Sequence, residues 1–263
     1  MPRIAVGIEY DGAAFSGWQI QRQRRTVQGE LTAALSSVAA EPVSLLAAGR
    51  TDAGVHAIGQ IAHFDTTALR SPRAWILGAN TLLPQAVNLT WAREVPQHFH
   101  ARFSAESRSY CYLILNRRAR SALAQQRAAH VHVPLDVERM QRGASHLLGE
   151  HDFSAFRAIA CQSRSPQRRL DRLAVRRSGD WLVIDATANA FLHHMVRNLV
   201  GMLLAIGRGD REPDDAWRVL QSRDRAQCAA MAPATGLYFW HAEYCAAFAL
   251  PAAPARSAMI PGL

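Results

Sequence analysis

The 263 residues carry 30 basic and 21 acidic side chains, giving a net charge of +9 and an isoelectric point near 10.4. That balance favours a polyanionic partner over an acidic-protein binder, and the length can fill two compact units with a sizeable core. No apolar run nears the ~20 residues that span a bilayer, no signal peptide is expected before the first strand, and four cysteines without a C-x-x-C pair read as reduced thiols, so a soluble cytoplasmic protein is expected.

Taken in chain order, Arg3 to Tyr10 alternates apolar with other residues and predicts a strand. Thr26 is placed to cap a helix whose Val27, Leu31, Ala34, Leu35 and Val38 fall at helical spacing, with Pro42 closing it. A short loop around Asp52 follows an apolar lead-in (Val43, Leu45, Leu46). A strand over 58–65, a helix marked by Pro72, Trp75, Ile76 and Leu77, and a strand over 87–93 complete a first set. Arg108 to Leu115 predicts the next strand, with Tyr110, Tyr112 and Ile114 on one face. Asp136 then caps a helix with Val137, Met140, Ala144, Leu147 and Leu148 inward, ended by Gly149. Residues 172–178 and 181–188 form a predicted hairpin around Ser178-Gly179-Asp180. A long helix from Phe191 to Ile206 and a strand from Gly236 to Tyr244 finish the pattern. Two successive strand–helix–strand sets argue for two α+β halves, mostly antiparallel, although no residue-level repeat links them. The expected division is 1–103, 104–246 and a disordered, Ala- and Pro-rich tail over 247–263.

The chemistry-bearing feature is Gly49-Arg50-Thr51-Asp52-Ala53-Gly54-Val55-His56-Ala57. It sets one carboxylate at the tip of a connection between two buried elements, where loops carry function. The plain alternative is an Asp-Ala-Gly turn whose acid bonds nearby backbone. Neither G-x-G-x-x-G nor G-x-x-x-x-G-K-[ST] occurs, so no nucleotide cofactor is indicated. The pairs His98/His100, His130/His132 and His193-His194 lack the Cys-x-x-C and carboxylate spacing of a zinc site, and no metal is expected. Three arginine runs stand out: Arg22, Arg24 and Arg25; Arg117, Arg118 and Arg120; and Arg157, Arg164, Arg168, Arg169 and Arg172, where Ser163, Ser165 and Pro166 mark a loop. A charge run is ordinarily a solvated face, but three on so basic a chain favour a phosphate-tracking surface. Arg22, Arg24, Arg25, Arg164, Arg168 and Arg169 are the candidate RNA contacts. The sequence contains no lysine. A guanidinium fork suits RNA, yet a GC-rich coding bias explains that absence equally well.

The nonapeptide resembles the catalytic motif of the tRNA pseudouridine synthase I family, the TruA-type enzymes. Ile8-Glu9-Tyr10-Asp11-Gly12 with Gly17-Trp18-Gln19, His100-Ala101-Arg102-Phe103-Ser104-Ala105, Arg108-Ser109-Tyr110, the run Asn189 to Asn198, and Gly236-Leu237-Tyr238 are similar to that family's other blocks, in family order over roughly residues 4–246. The resemblance implies two α+β halves sharing a largely antiparallel central sheet with helices packed on it, and an active cleft between them. It implies isomerisation of uridine to pseudouridine in the anticodon stem-loop of tRNA, at tRNA positions 38, 39 and 40, without a cofactor, by a homodimer. It assigns the essential carboxylate to Asp52, as a nucleophile at the sugar or as a base that withdraws a ribose proton. Arg197 would face that carboxylate and keep it charged, Tyr110 would stack on the target base, and Arg50 would fill the gap left by the extruded nucleotide. Two other classes compete: an RNA-binding module without chemistry, and a metal-dependent nucleic-acid enzyme built on the histidine pairs.

Overall fold

Alternation at the start of the chain does form a strand: in the computed structural model, which describes residues 1–255, β1 (Arg3–Tyr10) buries Val6 and Ile8 completely. Thr26 caps α1 (Val27–Ala39) by accepting from the Gly29 N–H at 3.3 Å. The helix ends at Ala40, in left-handed backbone at φ 58, two residues ahead of the expected stop at Pro42. Then come β2 (Leu46–Ala47), β3 (His56–Asp65), α2 (Pro72–Leu82) capped by Ser71, and β4 (Val87–Val95). Next are β5 (Ala105–Asn116), β6 (Ala129–Val131), α3 (Val137–Ser145) capped by Asp136, β7 (Gly149–Asp152), β8 (Gln167–Ser178) and β9 (Trp181–Ala188). The chain continues through α4 (Met195–Arg208), α5 (Asp215–Ser222) and β10 (Leu237–Tyr244).

The chain divides into two compact units, Met1–Glu106 with the described residues from Tyr238 onward, and Ser107–Leu237. In the first unit the strands run in the order β4-β1-β3-β10, with β2 also paired to β3. Both neighbours of β1 are antiparallel, while β10 joins β3 in parallel, Tyr238 opposite His56. Sandwiched between two strands and buried on both faces, β1 is apolar almost throughout, as an interior strand must be. Leu31, Leu35, Phe64 and Trp75 lie at 0–1% exposure, where α2 packs on α1 and on β4 and the Trp75 ring meets Phe64 of β3. Each such burial contributes on the order of 1.5–3 kcal/mol.

The second unit has the antiparallel order β5-β9-β8-β7, with β6 added in parallel to β5. Helix α3 packs on β8 and α4. The α3–α4 crossing depends on small residues: a Cβ on Gly207 would stand 2.7 Å from the Met140 sulfur, and one on Gly143 would stand 2.6 Å from the Ile206 Cδ1. Each unit is thus α+β with a largely antiparallel sheet.

Four expectations need correction. Helix α4 begins at Met195, not Phe191, because His194 takes φ 64 and the residues before it turn instead of winding. Leu148 points outward at 39% exposure, since α3 stops at Ser145. The last strand serves the first unit, so the chain crosses between units twice. Finally, the described part of the expected tail is structured: the Phe248 ring lies 5.1 Å from that of Phe99, and the Trp240 Nε1–H donates to the Pro254 carbonyl at 3.2 Å. Residues 256–263 lie outside the described residues. No helix among the described residues is long and apolar enough to cross a membrane.

Candidate active site

Asp52 stands on a turn closed by the Val55 N–H donating to the Asp52 carbonyl at 3.2 Å, with Gly54 supplying the positive φ of 79 that the bend requires. The turn is held from both sides. Before it, Gln60 Nε2 donates to the Gly49 carbonyl at 2.8 Å. At Thr51 the side-chain hydroxyl pairs with the Tyr10 hydroxyl at 2.7 Å, and the carbonyl accepts from the Trp18 N–H at 3.0 Å. After it, His56 accepts the Gly12 N–H on Nδ1 at 3.1 Å while its ring stacks on Tyr238, centroids 4.7 Å apart.

The glycines Gly12 and Gly17 are as necessary here as the polar groups. A Cβ on Gly12 would fall 1.9 Å from the Val55 carbonyl oxygen, and Gly17, at φ 92, would place one 2.8 Å from that of Thr51. The opening segment Tyr10 to Trp18 is therefore the bracket of the Asp52 turn, with Trp18 itself 1% exposed beneath it. Burial pushes the Tyr10 hydroxyl up to about 12, so it remains protonated and able to donate throughout the neutral range. Sequence reading grouped these residues with the resemblance without giving them a task; the two glycines that follow the Tyr10-Asp11 pair were the available signal.

Arg50 is exposed, and its side chain has no hydrogen bond or ion pair among the described residues, so the guanidinium reaches outward from a fixed base. Arg22 and Arg24 sit on a tight turn closed by the Arg24 N–H on the Gln21 carbonyl at 3.4 Å, with Gln23 at φ 55. Both are exposed. Arg25 is engaged differently, bonded to Glu30 at 2.6 Å and lying over the Phe15 ring at 5.2 Å.

In the second unit Tyr110 is 9% exposed on β5, with the Phe191 ring edge-on at 5.0 Å. Arg197 occupies the first turn of α4 and is half-buried, not splayed to solvent. Its Nε donates to the Ala232 carbonyl at 2.9 Å, and the Ala232 N–H returns a bond to the Arg197 carbonyl at 3.1 Å. That two-way link ties the segment before β10 to the helix start, and the adjacent Pro233 carbonyl accepts from the Tyr112 hydroxyl at 2.9 Å. Burial raises the Tyr112 hydroxyl well above its ordinary value, with Arg197 pulling the other way. Next to Arg197, the buried Asn198 donates to the Phe156 carbonyl at 2.7 Å and accepts from Arg225 at 3.0 Å, a fastening that the sequence did not announce.

The three arginines of the expected phosphate loop have separate situations. Arg164 is exposed and without a side-chain partner among the described residues. Arg168 folds back on its own loop, donating to Ser163 Oγ at 2.7 Å and to the Ser165 carbonyl at 3.0 Å, and burial lowers its pKa. Arg169 pairs with Asp171 at 2.7 Å.

Among known proteins, a family model described as tRNA pseudouridine synthase matches residues 7–104 and 144–245. The tRNA pseudouridine synthase A of Methylococcus capsulatus is 57% identical over 236 residues, covering 90% of this chain and 87% of its own. Proteins of the same name from Cronobacter sakazakii (51% over 252 residues; 96% and 93% covered) and Coxiella burnetii (49% over 261 residues; 99% and 100% covered) are similar along nearly the whole chain. A solved chain titled "Crystal Structure of a Cbf5-Nop10-Gar1 Complex" aligns at a TM-score of 0.31 and 9% identity over 76% of this chain and 54% of its own, too distant to inform the fold.

Proposed function

This chain belongs to the tRNA pseudouridine synthase family, and we propose that it isomerises uridine to pseudouridine in tRNA, at the three anticodon-arm positions named above. The observation that carries this reading is the Asp52 turn: residues on both sides of the acid are pinned, and the acid itself is partly exposed. The reaction breaks the N1–C1′ bond and joins C1′ to C5, moving one proton off C5 and one onto N1, so neither an oxidant nor a phosphoryl donor is needed. Asp52 acts either by attacking the sugar or by removing a ribose proton as the base departs. Arg50, Tyr110 and Arg197 hold the target nucleotide: a guanidinium that occupies the vacated stack, a ring for the flipped base, and a cation for the reacting group.

Arg22, Arg24, Arg25, Arg164, Arg168 and Arg169 are the proposed phosphate contacts, and neutralising phosphates supplies most of the sequence-independent affinity. The exposed Arg22, Arg24 and Arg164 support that role best, because their guanidinium groups have no competing partner among the described residues. Cytoplasmic location and a homodimeric assembly complete the proposal. The test is to incubate the protein with unmodified tRNA in EDTA and map pseudouridine. Product at those positions supports the reading and removes a metal requirement. Bound tRNA with no product anywhere identifies an RNA-binding module instead.

A further inference from the structure

Resting on Asp52 as the reacting carboxylate, we propose that Tyr10 and Gln60 are positioning residues for the reaction, a buried hydroxyl–amide link that sets where Asp52 stands. Tyr10 is 3% exposed and Gln60 is 0% exposed. A buried hydroxyl and a buried amide are costly unless fully hydrogen-bonded, and packing alone would be served as well by Phe and Leu. Here both polar ends converge on the same turn. The Tyr10 hydroxyl meets Thr51 Oγ1 at 2.7 Å, and Gln60 Nε2 donates to the Gly49 carbonyl at 2.8 Å. The Gln60 Oε1 accepts from the Ile61 N–H at 3.2 Å, which fixes the amide's orientation. The link thus runs from β1 and β3 to residues 49 and 51, and Asp52 is the next residue along the chain.

The Trp18 and Val55 amides hold the turn's backbone, and the lead-in residue Ala48 is bonded to Ile61 of β3 at 2.7 Å, so the side-chain bonds act on the turn's remaining freedom of tilt. The Tyr10–Thr51 and Gln60–Gly49 bonds set that tilt, because they reach the turn from two rigid strands. Misplacing a reacting group by about 1 Å can cost about 100-fold in rate. The two residues therefore act through Asp52 without touching the substrate.

The experiment measures kcat, KM, tRNA Kd and the thermal midpoint for wild type, Tyr10→Phe, Thr51→Val, Thr51→Ser and the double variant Tyr10→Phe/Thr51→Val. Tyr10→Phe should lower kcat about 10- to 100-fold, with KM and Kd within about twofold of wild type. Thr51→Val should match that loss, and Thr51→Ser, which keeps the hydroxyl, should recover most of the rate. If the two hydroxyls form one link, the double variant will be no slower than the worse single one. A kcat within about twofold of wild type in Tyr10→Phe, whatever its thermal midpoint, would overturn the inference and leave a purely structural bond. Should Tyr10→Phe fail to fold, the Thr51→Val and Thr51→Ser pair decides the matter by the same criterion. A wild-type protein that makes no pseudouridine overturns the proposed function itself, and this inference with it. An active wild type with an indifferent Tyr10→Phe removes only the inference.

Discussion

The Asp52 turn and the loop over residues 163–169 are built on opposite plans. In the first, the residues around the charged one are committed to structure, Gly49 to Gln60, Thr51 to Tyr10 and Trp18, Val55 to the turn itself, and only the Arg50 side chain reaches outward. In the second, a charged residue is the structure, since Arg168 closes its own loop onto Ser163 and Ser165, leaving Arg164 at the outside. The difference teaches that a charge's neighbours, not its position in a charged run, decide whether it can act on a ligand. An arginine already bonded to its loop must give up those bonds before it can contact a phosphate.

The comparison breaks most sharply at its centre. Asp52→Asn keeps the shape of the turn and removes the ionised oxygen, so turnover should fall by at least about 1,000-fold while tRNA affinity stays within about twofold. Residual turnover near wild type, in protein shown by mass spectrometry to be free of deamidation, would move the chemistry elsewhere. Next in size is Gly12→Ala. Its Cβ would need the space of the Val55 carbonyl 1.9 Å away, so the bracket must shift, at a cost of about 1–3 kcal/mol in urea unfolding, and turnover should drop with it. An unchanged unfolding curve would mean that the bracket is slack.

Alkaline titration probes the same bracket. The folded protein holds the Tyr10 proton to about 12, whereas an unfolded tyrosine releases its own near 10. The folded state therefore binds more protons in that window. Its contribution is complete below pH 10 and declines as pH rises toward 12, by at most about 2–3 kcal/mol. Tyr10→Phe should flatten the stability curve there relative to wild type; superimposable slopes would show that Tyr10 ionises freely. The smallest effect lies in the arginine loop. Arg164→Ala should reduce the slope of log K against log salt by about 0.7–0.9 if it touches one phosphate. Arg168→Ala should lower the slope by less than Arg164→Ala, because that guanidinium must first release Ser163 and Ser165, and should in addition increase proteolytic cleavage within residues 163–168. The reverse pattern would erase the contrast between the two loops.

Much of this was legible in the sequence where local rules act. Thr26 and Asp136 cap their helices, Pro72 opens the second one, and the first helix shows its apolar spacing. The nonapeptide singled out the Asp52 turn. What stayed hidden depends on partners distant along the chain. The short β2, β6 and β7 have too few residues to show a period, and α5 went unread. The start of α4 turned on a histidine in left-handed backbone, which no side-chain pattern announces. Composition counts Arg164 and Arg168 alike, because it records charge and not what the charge is bonded to. Tyr10 and Gln60 read as ordinary strand residues, since their importance lies in where their polar ends arrive.

The parallel pairing of β10 with β3 has a consequence for synthesis. Tyr238 lies opposite His56, a separation of 182 residues (238 − 56). At about 5–20 residues per second a ribosome needs on the order of ten seconds or more to bridge that gap. Until then the His56 end of β3 lacks this strand partner, and the imidazole has no Tyr238 ring to stack on. An unpaired strand edge invites association with other nascent chains, so this interval is when the emerging chain is most open to mispairing at that edge. A ribosome-stalled chain ending before residue 237 would carry the aspartate yet lack the last ring of its bracket. Activity should therefore emerge late in translation, as one step, when the final strand docks.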